Sequence, residues 1–587
     1  KLLTSEYQAS QGKEYFISFE DTKNNIILGF CRLRIPSQSL REEITPTTAI
    51  VRELHVYGQA VKIGSSGKVQ HKGFKNLQFI EKGSLKTQHH IAFNDIVQSL
   101  NENKEAIAII EKNGTEYSYH QLHQMIVGAQ EELLKKGVQK GDKILVFVPM
   151  SVELYALLEA IFSVGAIALF LDPWMKGKKM SSVIRQVQPD LFVVTKKLSR
   201  ITWLLAATWP LKKWKVNAIK PSNTNYAIAT INDDDNALIT FTSGTSGAPK
   251  GANRTFAFLH AQAAVLKAHL GDNAEPSVDY SNFPIVGLAN FALGNTVVVP
   301  KINLMKIHKA DGNAIAADLK KNKVSRLVVS PSLLRIILTS LPQDTCIKTV
   351  MTGGAPIPNH LVKTAVTQFP TIHFEGIFGS TEAEPIAISD FKTIKANLNA
   401  PKKGVYVGLP VPETKVKIIQ PTNSPISTAE FENLTLNNGE PGELVVTGNH
   451  VNKNYYKNPE AFKANKIVDK AGTIWHRTGD IGYFECNALY LVGRNHRIMV
   501  KGEKYFYPYP VEQLIEEELG LQDIGYIQNT TGDFIVYYHH VNDLYSGQIK
   551  TVLNENDYPI DQVIYSAKPL PRDARHQSKL QVEQLKQ

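Results

Sequence analysis

Ten consecutive residues gather the groups that bind polyphosphate: Thr242-Ser243-Gly244-Thr245-Ser246-Gly247-Ala248-Pro249-Lys250-Gly251. Glycines lack a Cβ, so backbone N–H groups can converge on oxygen atoms, and such a nest binds anions. The hydroxyls of Thr242, Ser243, Thr245 and Ser246 add donors. Lys250 adds a point charge, and Pro249 stiffens the approach to it. The string is not a Walker A loop, which has a glycine directly before its lysine and a serine or threonine directly after. Here Pro249 precedes Lys250 and Gly251 follows.

The apolar run Ala237 to Phe241 predicts a buried strand leading into this loop. Around it, helical patterns alternate with short β-branched runs. Helices are expected over residues 119–136 and 151–163, and strands over 143–148, 191–195, 296–299 and 326–330. Such alternation argues for parallel sheets covered by helices. Residues 421–441, rich in Asn, Pro, Ser and Gly, read as an irregular loop. Beyond Arg494 the pattern is smaller and mixed, with a helix near 510–519 and strands near 534–539 and 562–566. The apolar stretch Leu154 to Leu171 contains Glu159 and runs into Asp172-Pro173. It reads as a buried helix followed by a buried strand, not as a membrane span.

With 587 residues the chain needs several domains. Its formal net charge of +10 suits an anionic small ligand, and no run of five like charges marks a nucleic-acid tail. Cys31, Cys346 and Cys486 are few and far apart. They offer no disulfide framework or zinc spacing, so a reducing, cytoplasmic setting is expected. No signal-peptide pattern opens the chain, and its first residue, Lys1, suggests that the natural start lies elsewhere.

Further motifs follow the phosphate loop in order. They are Gly353-Gly354-Ala355-Pro356, Phe378-Gly379-Ser380-Thr381-Glu382, Gly442 to Gly448, Trp475-His476-Arg477-Thr478-Gly479-Asp480, Gly493-Arg494, and Lys579 near the end. In this set and order, residues 86–587 resemble the adenylate-forming superfamily of acyl-CoA synthetases, luciferases and peptide-synthetase adenylation domains. The resemblance implies an α/β fold: a large domain of helix-covered sheets (86–493) and a small α+β lid domain (494–587). It also implies attack of a carboxylate on the α-phosphate of ATP, giving acyl-AMP and pyrophosphate.

By this resemblance the loop with Thr242, Ser243, Gly244, Thr245, Ser246, Gly247 and Lys250 would hold phosphates. Glu382 would bind Mg²⁺, and Thr381 beside it would donate to phosphate. Gly354, Ala355 and Pro356 would wall the adenine site. Phe378, where the family usually has tyrosine, would stack on the base, with Gly379 and Ser380 beside it. Asp480 would take the ribose hydroxyls, Arg494 the same sugar or a phosphate. Lys579 would bridge the carboxylate and the α-phosphate; Ser578 precedes it where a glycine is commoner. The hinge is expected at Asn495 or His496, in a segment one residue shorter than usual and lacking the customary acid.

The apolar region Phe283 to Gly294 lacks the histidine that many acyl-CoA synthetases carry there. With Ser330-Pro331-Ser332-Leu333-Leu334 and Arg575-His576-Gln577-Ser578-Lys579, it is similar to the β-lactone synthetases of bacterial olefin biosynthesis. A fatty or β-hydroxy fatty acid is the expected substrate. Thioester formation, with CoA as acceptor, and β-lactone closure both remain open.

Residues 1–80 are different. The strings Glu14 to Asp21, Leu33-Arg34-Ile35-Pro36 and Arg52 to Gly58 resemble the acetyltransferase-like domain of the Elongator catalytic subunit. That family's CoA-binding turn would begin at Gln70-His71-Lys72-Gly73-Phe74, but Lys75 stands in place of its next glycine. A truncated α/β remnant is expected, without acetyltransferase or tRNA-binding activity; no nucleic-acid partner is expected for the chain.

Overall fold

The computed structural model describes residues 2–9, 12–21, 26–36, 48–62, 79–81, 96, 99–100 and 102–585, except 176, 203, 225–228, 243–248, 271–275 and 573–579. The chain divides into two compact units, Lys1–Gln88 and His89–Gln587.

In the first unit the strands Leu2–Ala9, Gly12–Asp21, Ile26–Pro36, Thr48–Lys62 and Phe79–Glu81 form one antiparallel sheet in chain order. The Gln70 to Phe74 turn falls outside the described residues.

The second unit is built on two large sheets. In the first, the strands Lys213–Val216, Leu191–Thr195, Lys143–Phe147, Ile167–Leu171 and Asn236–Thr242 are parallel neighbours. Helices supply the crossovers that parallel pairing needs. The helix Tyr119–Lys135 starts where expected: Ser118 accepts from the Gln121 N–H, and the Gln121 side chain reaches back to Ser118. The run 154–171 resolves into the helix Val152–Ser163 and the strand Ile167–Leu171. Among the described residues no helix is long and apolar enough to cross a membrane.

The second sheet has fourteen strands. It is parallel from Ile107–Ile110 to His373–Ser380 and antiparallel from there to Lys415–Ile419. Parallel order therefore holds for only part of the unit. It ends where the connection shrinks to the turn Thr381-Glu382, too short for a crossover. The segment 421–441 carries two short helical turns, Thr428–Phe431 and Glu432–Leu434, held by Phe431, which is fully buried against Trp475, ring centroids 5.7 Å apart.

From Met499 on, the helices Pro508–Leu519 and Ser546–Glu555 pack on a three-stranded sheet of Ile524–Gln528, Phe534–His539 and Gln562–Ser566. This is the small α+β arrangement expected for the C-terminal part. Lys363 reaches it from the larger part, pairing with Glu517 at 2.7 Å.

Candidate active site

The ends of the phosphate loop are held in register: Thr242 faces Lys250 across the antiparallel strands Asn236–Thr242 and Lys250–Thr255. The loop thus joins two strands, whereas a Walker A loop joins a strand to a helix. Ser243, Gly244, Thr245, Ser246 and Gly247 lie outside the described residues. Lys250 is half-buried and donates to Asn465 Oδ1 at 3.1 Å. Burial pulls its ammonium below the ordinary lysine range, and Glu382 opposes that shift.

The segment 451–455 stitches the two sheets together. Val451 bridges Ala383, next to Glu382, while Asn454 and Tyr455 pair with Asn253 and Ala252 on the Lys250 strand. Glu382 is fixed here twice: its carbonyl accepts from Asn452 N–H at 2.6 Å and its Oε1 from the Tyr455 hydroxyl at 3.0 Å. Burial pushes the Glu382 carboxyl up, but its neighbours outweigh this, and the net shift is downward. Of those neighbours, His476 is held at about 3 by burial and is neutral at pH 7. The charged neighbours are Arg254 and Lys466, the latter pushed down to about 7 by burial and so carrying only part of its charge at pH 7. Arg254 also fixes the turn, donating to the Thr381 carbonyl at 2.7 Å.

Asp480 and Arg494 are cross-strand partners, with Arg494 Nε 2.8 Å from Asp480 Oδ1. Asp480 is buried, and Arg494 is raised first by Asp480, with Tyr509 adding a hydrogen bond. Gly353 lets the strands Thr349–Gly353 and His373–Ser380 approach closely: a Cβ there would lie 2.6 Å from the Ile377 carbonyl oxygen. Gly354 turns the chain with φ +78°, against the Phe283 ring, and Ala355 and Pro356 follow at the surface. Phe378, Gly379 and Ser380 are half-buried on the adjoining strand. Lys579 lies outside the described residues.

At the expected hinge, Asn495 donates to the Thr422 carbonyl at 3.0 Å. Two residues on, Arg497 pairs with Glu512 of the C-terminal part at 2.5 Å. His496 therefore sits between residues anchored in different parts of the unit.

Residues 96–456 match the family model described as AMP-binding enzyme. The chain belongs to that family. This AMP-binding enzyme is 26% identical over 408 residues to the olefin beta-lactone synthetase of Stenotrophomonas maltophilia, covering 66% of this chain and 73% of the relative. It is 25% identical over 438 residues to the 2-succinylbenzoate–CoA ligase of Oceanobacillus iheyensis, covering 73% and 83%. Its fold matches the O-succinylbenzoate coenzyme A synthetase of Bacillus subtilis, solved in complex with ATP and magnesium ion. The TM-score is 0.68 at 19% identity, covering 84% of this chain and 99% of that one.

Sequence reasoning missed Arg254, Asn452, Tyr455, Asn465 and Lys466 in this AMP-binding enzyme, and it quoted His476 without a role. One signal was available. In the strand Ile474–Glu485, the neighbours His476 and Arg477 point to opposite faces: Arg477 forms a buried ion pair with Glu443, and His476 acts on Glu382.

A cavity, part of it open to solvent, lies between the helices Val152–Ser163, Phe256–Leu270 and Pro284–Ala292. Its wall is mostly apolar, and Glu159 belongs to it. Burial pushes the Glu159 carboxyl up to about 8. In the unfolded chain it titrates near the ordinary value of about 4.3. The stability linked to protonated Glu159 is therefore present in full below that value. It is lost as pH rises toward 8, at about 1.4 kcal/mol per pH unit. Glu159→Leu removes this loss, so its gain in melting temperature over the parent is larger at pH 8 than at pH 5. Equal gains at both pH values would contradict the shift.

Proposed function

We propose that this enzyme activates a carboxylic acid with ATP, forming an acyl adenylate and releasing pyrophosphate. The observation that carries this reading is the convergence of Lys250, Glu382, Asp480 and Arg494, drawn from four separate motifs onto one locus by the 451–455 segment and the Asp480–Arg494 strand pair.

The residues present fit ATP and Mg²⁺. Ser380 Oγ is buried without a hydrogen-bond partner, a donor suited to a phosphate oxygen. Glu382 commits Oε1 to Tyr455, while Oε2 has no hydrogen bond from the described residues. Among those residues no cluster of three metal-binding side chains exists. One carboxylate with substrate phosphates and waters is the usual Mg²⁺ arrangement. When bound, the ion would neutralise charge on phosphate oxygens. The protein's own work is positioning and electrostatics. Lys250 and the loop hold the outer phosphates, Thr381 and Ser380 present hydroxyls, and Asp480 takes the ribose hydroxyls while keeping Arg494 in place. Lys579 supplies positive charge between carboxylate and α-phosphate. The segment Asn495 to Arg497 serves as the hinge of the lid.

The apolar cavity supports a fatty chain, including a β-hydroxy fatty acid, as the acid's tail. The likeness to both a beta-lactone synthetase and a CoA ligase supports either lactone closure or thioester formation as the second step.

Asp480→Ala removes hydrogen bonds to the sugar and weakens AMP binding by roughly tenfold to a hundredfold, as expected for bonds to a charged group. Titration calorimetry with AMP measures this directly. Unchanged affinity would remove Asp480 from the nucleotide site. The proposal as a whole is tested by acid-dependent exchange of pyrophosphate into ATP, with fatty and β-hydroxy fatty acids as substrates.

A further inference from the structure

The apolar cavity has a direction. At one end Leu266 and Ile285 pack with Phe283 and Ile377, and the Phe283 ring lies against Gly354 of the nucleotide wall. At the other end Phe162 meets Phe256 edge-on at 6.1 Å, beside Glu159 and Ile96. Leu266 and Phe256 stand ten residues apart on one helix, so the two ends are separated by about 15 Å. A chain whose carboxyl reaches the nucleotide site extends its tail toward Glu159.

Glu159 is 3% exposed and receives no hydrogen bond from the described residues; its Oε2 is buried without a partner. Desolvation is the one influence acting on its titration, so no cation balances it, and it stands protonated at pH 7. One turn earlier on the same helix face, the Tyr155 hydroxyl is also buried and unpartnered. Burying an unpaired polar group is unfavourable, and leucine would fill the same wall without that cost. A protonated carboxyl donates through its O–H and accepts through its C=O. A ligand hydroxyl satisfies both.

We infer that Glu159 is a specificity-determining residue that hydrogen-bonds a hydroxyl carried by the acid's chain at the end remote from its carboxyl. This rests on the cavity being the site of the acyl tail, as proposed above. It is distinct from recognition of a β-hydroxyl, which lies next to the carboxyl at the opposite end. A site built to bond a hydroxyl discriminates against the analogue lacking it, because its buried polar group is left unpaired.

The test compares ω-hydroxy acids with unsubstituted acids of equal length, from octanoic to hexadecanoic, by acid-dependent ATP–pyrophosphate exchange with the full chain. The parent is expected to favour the hydroxy acid at least tenfold in kcat/KM at one or more lengths. Glu159→Gln, whose amide also donates and accepts, keeps that preference. Glu159→Leu reduces it by at least tenfold, losing on the hydroxy acid and gaining on the unsubstituted one. Exchange with equal efficiency for both series in the parent, or an undiminished preference in Glu159→Leu, overturns the assignment of Glu159 alone. Absence of exchange with every acid overturns the reading of the reaction, and this inference with it.

Discussion

Glu382→Gln is expected to lower acid-dependent ATP–pyrophosphate exchange by about a hundredfold or more, the scale on which a preorganised charge at a reacting phosphate contributes. The substitution keeps the shape of the side chain and its ability to accept from Tyr455, whose hydroxyl lies 3.0 Å from Oε1. The backbone anchor, Asn452 N–H on the Glu382 carbonyl, does not involve the side chain and persists. What disappears is the negative charge. Burial raises the titration of Glu382, while His476, Lys466, the Tyr455 hydrogen bond and Arg254 lower it, and the net shift is downward. The loss should fall on kcat and on the Mg²⁺ concentration needed for half-maximal rate, with the melting temperature little changed. A variant that retains exchange at the parent's Mg²⁺ dependence would remove Glu382 from the metal site.

Lys579→Ala is expected to lower the adenylation rate by a similar factor. Lys579 directly precedes Leu580, and the nearest described residues on either side of it are fixed. Arg572 is bound to Asp523 at 2.7 Å and pairs antiparallel with Leu580, whose side chain packs so closely on Gly525 that a Cβ there would lie 2.4 Å from it. The role assigned to Lys579 needs a compact charge between two oxygens, which the planar guanidinium of arginine does not supply. Lys579→Arg should therefore restore little of the lost rate. Single-turnover acyl-AMP formation reads the effect; a Lys579→Ala rate within threefold of the parent would contradict it.

The parts of this fold governed by local rules were legible. Ser118 and Gln121 mark the start of a helix, and Glu159 with Asp172-Pro173 argues against a span in the apolar 154–171 run. The family's motifs were legible because they are short strings. Their supporting residues were not. Tyr455 reaches Glu382 through pairing with Ala252, some two hundred residues earlier in the chain, and no local pattern encodes that pairing. Lys466 looks like a surface lysine in sequence, yet it is buried, donates to the Asn452 carbonyl and is pushed down to about 7 by burial. The switch from parallel to antiparallel strands at Thr381-Glu382 was hidden for a different reason. It depends on a connection length that becomes visible only when the strand ends are known.

The central claim is that this AMP-binding enzyme joins a carboxylic acid to AMP. The most direct measurement is mass spectrometry of the products formed from ATP, Mg²⁺ and a panel of fatty and β-hydroxy fatty acids, with and without CoA. The account predicts AMP, pyrophosphate and an acyl adenylate of matching mass with at least one of these acids. Formation of ADP and phosphate instead, or no acid-dependent consumption of ATP across the panel, would contradict it.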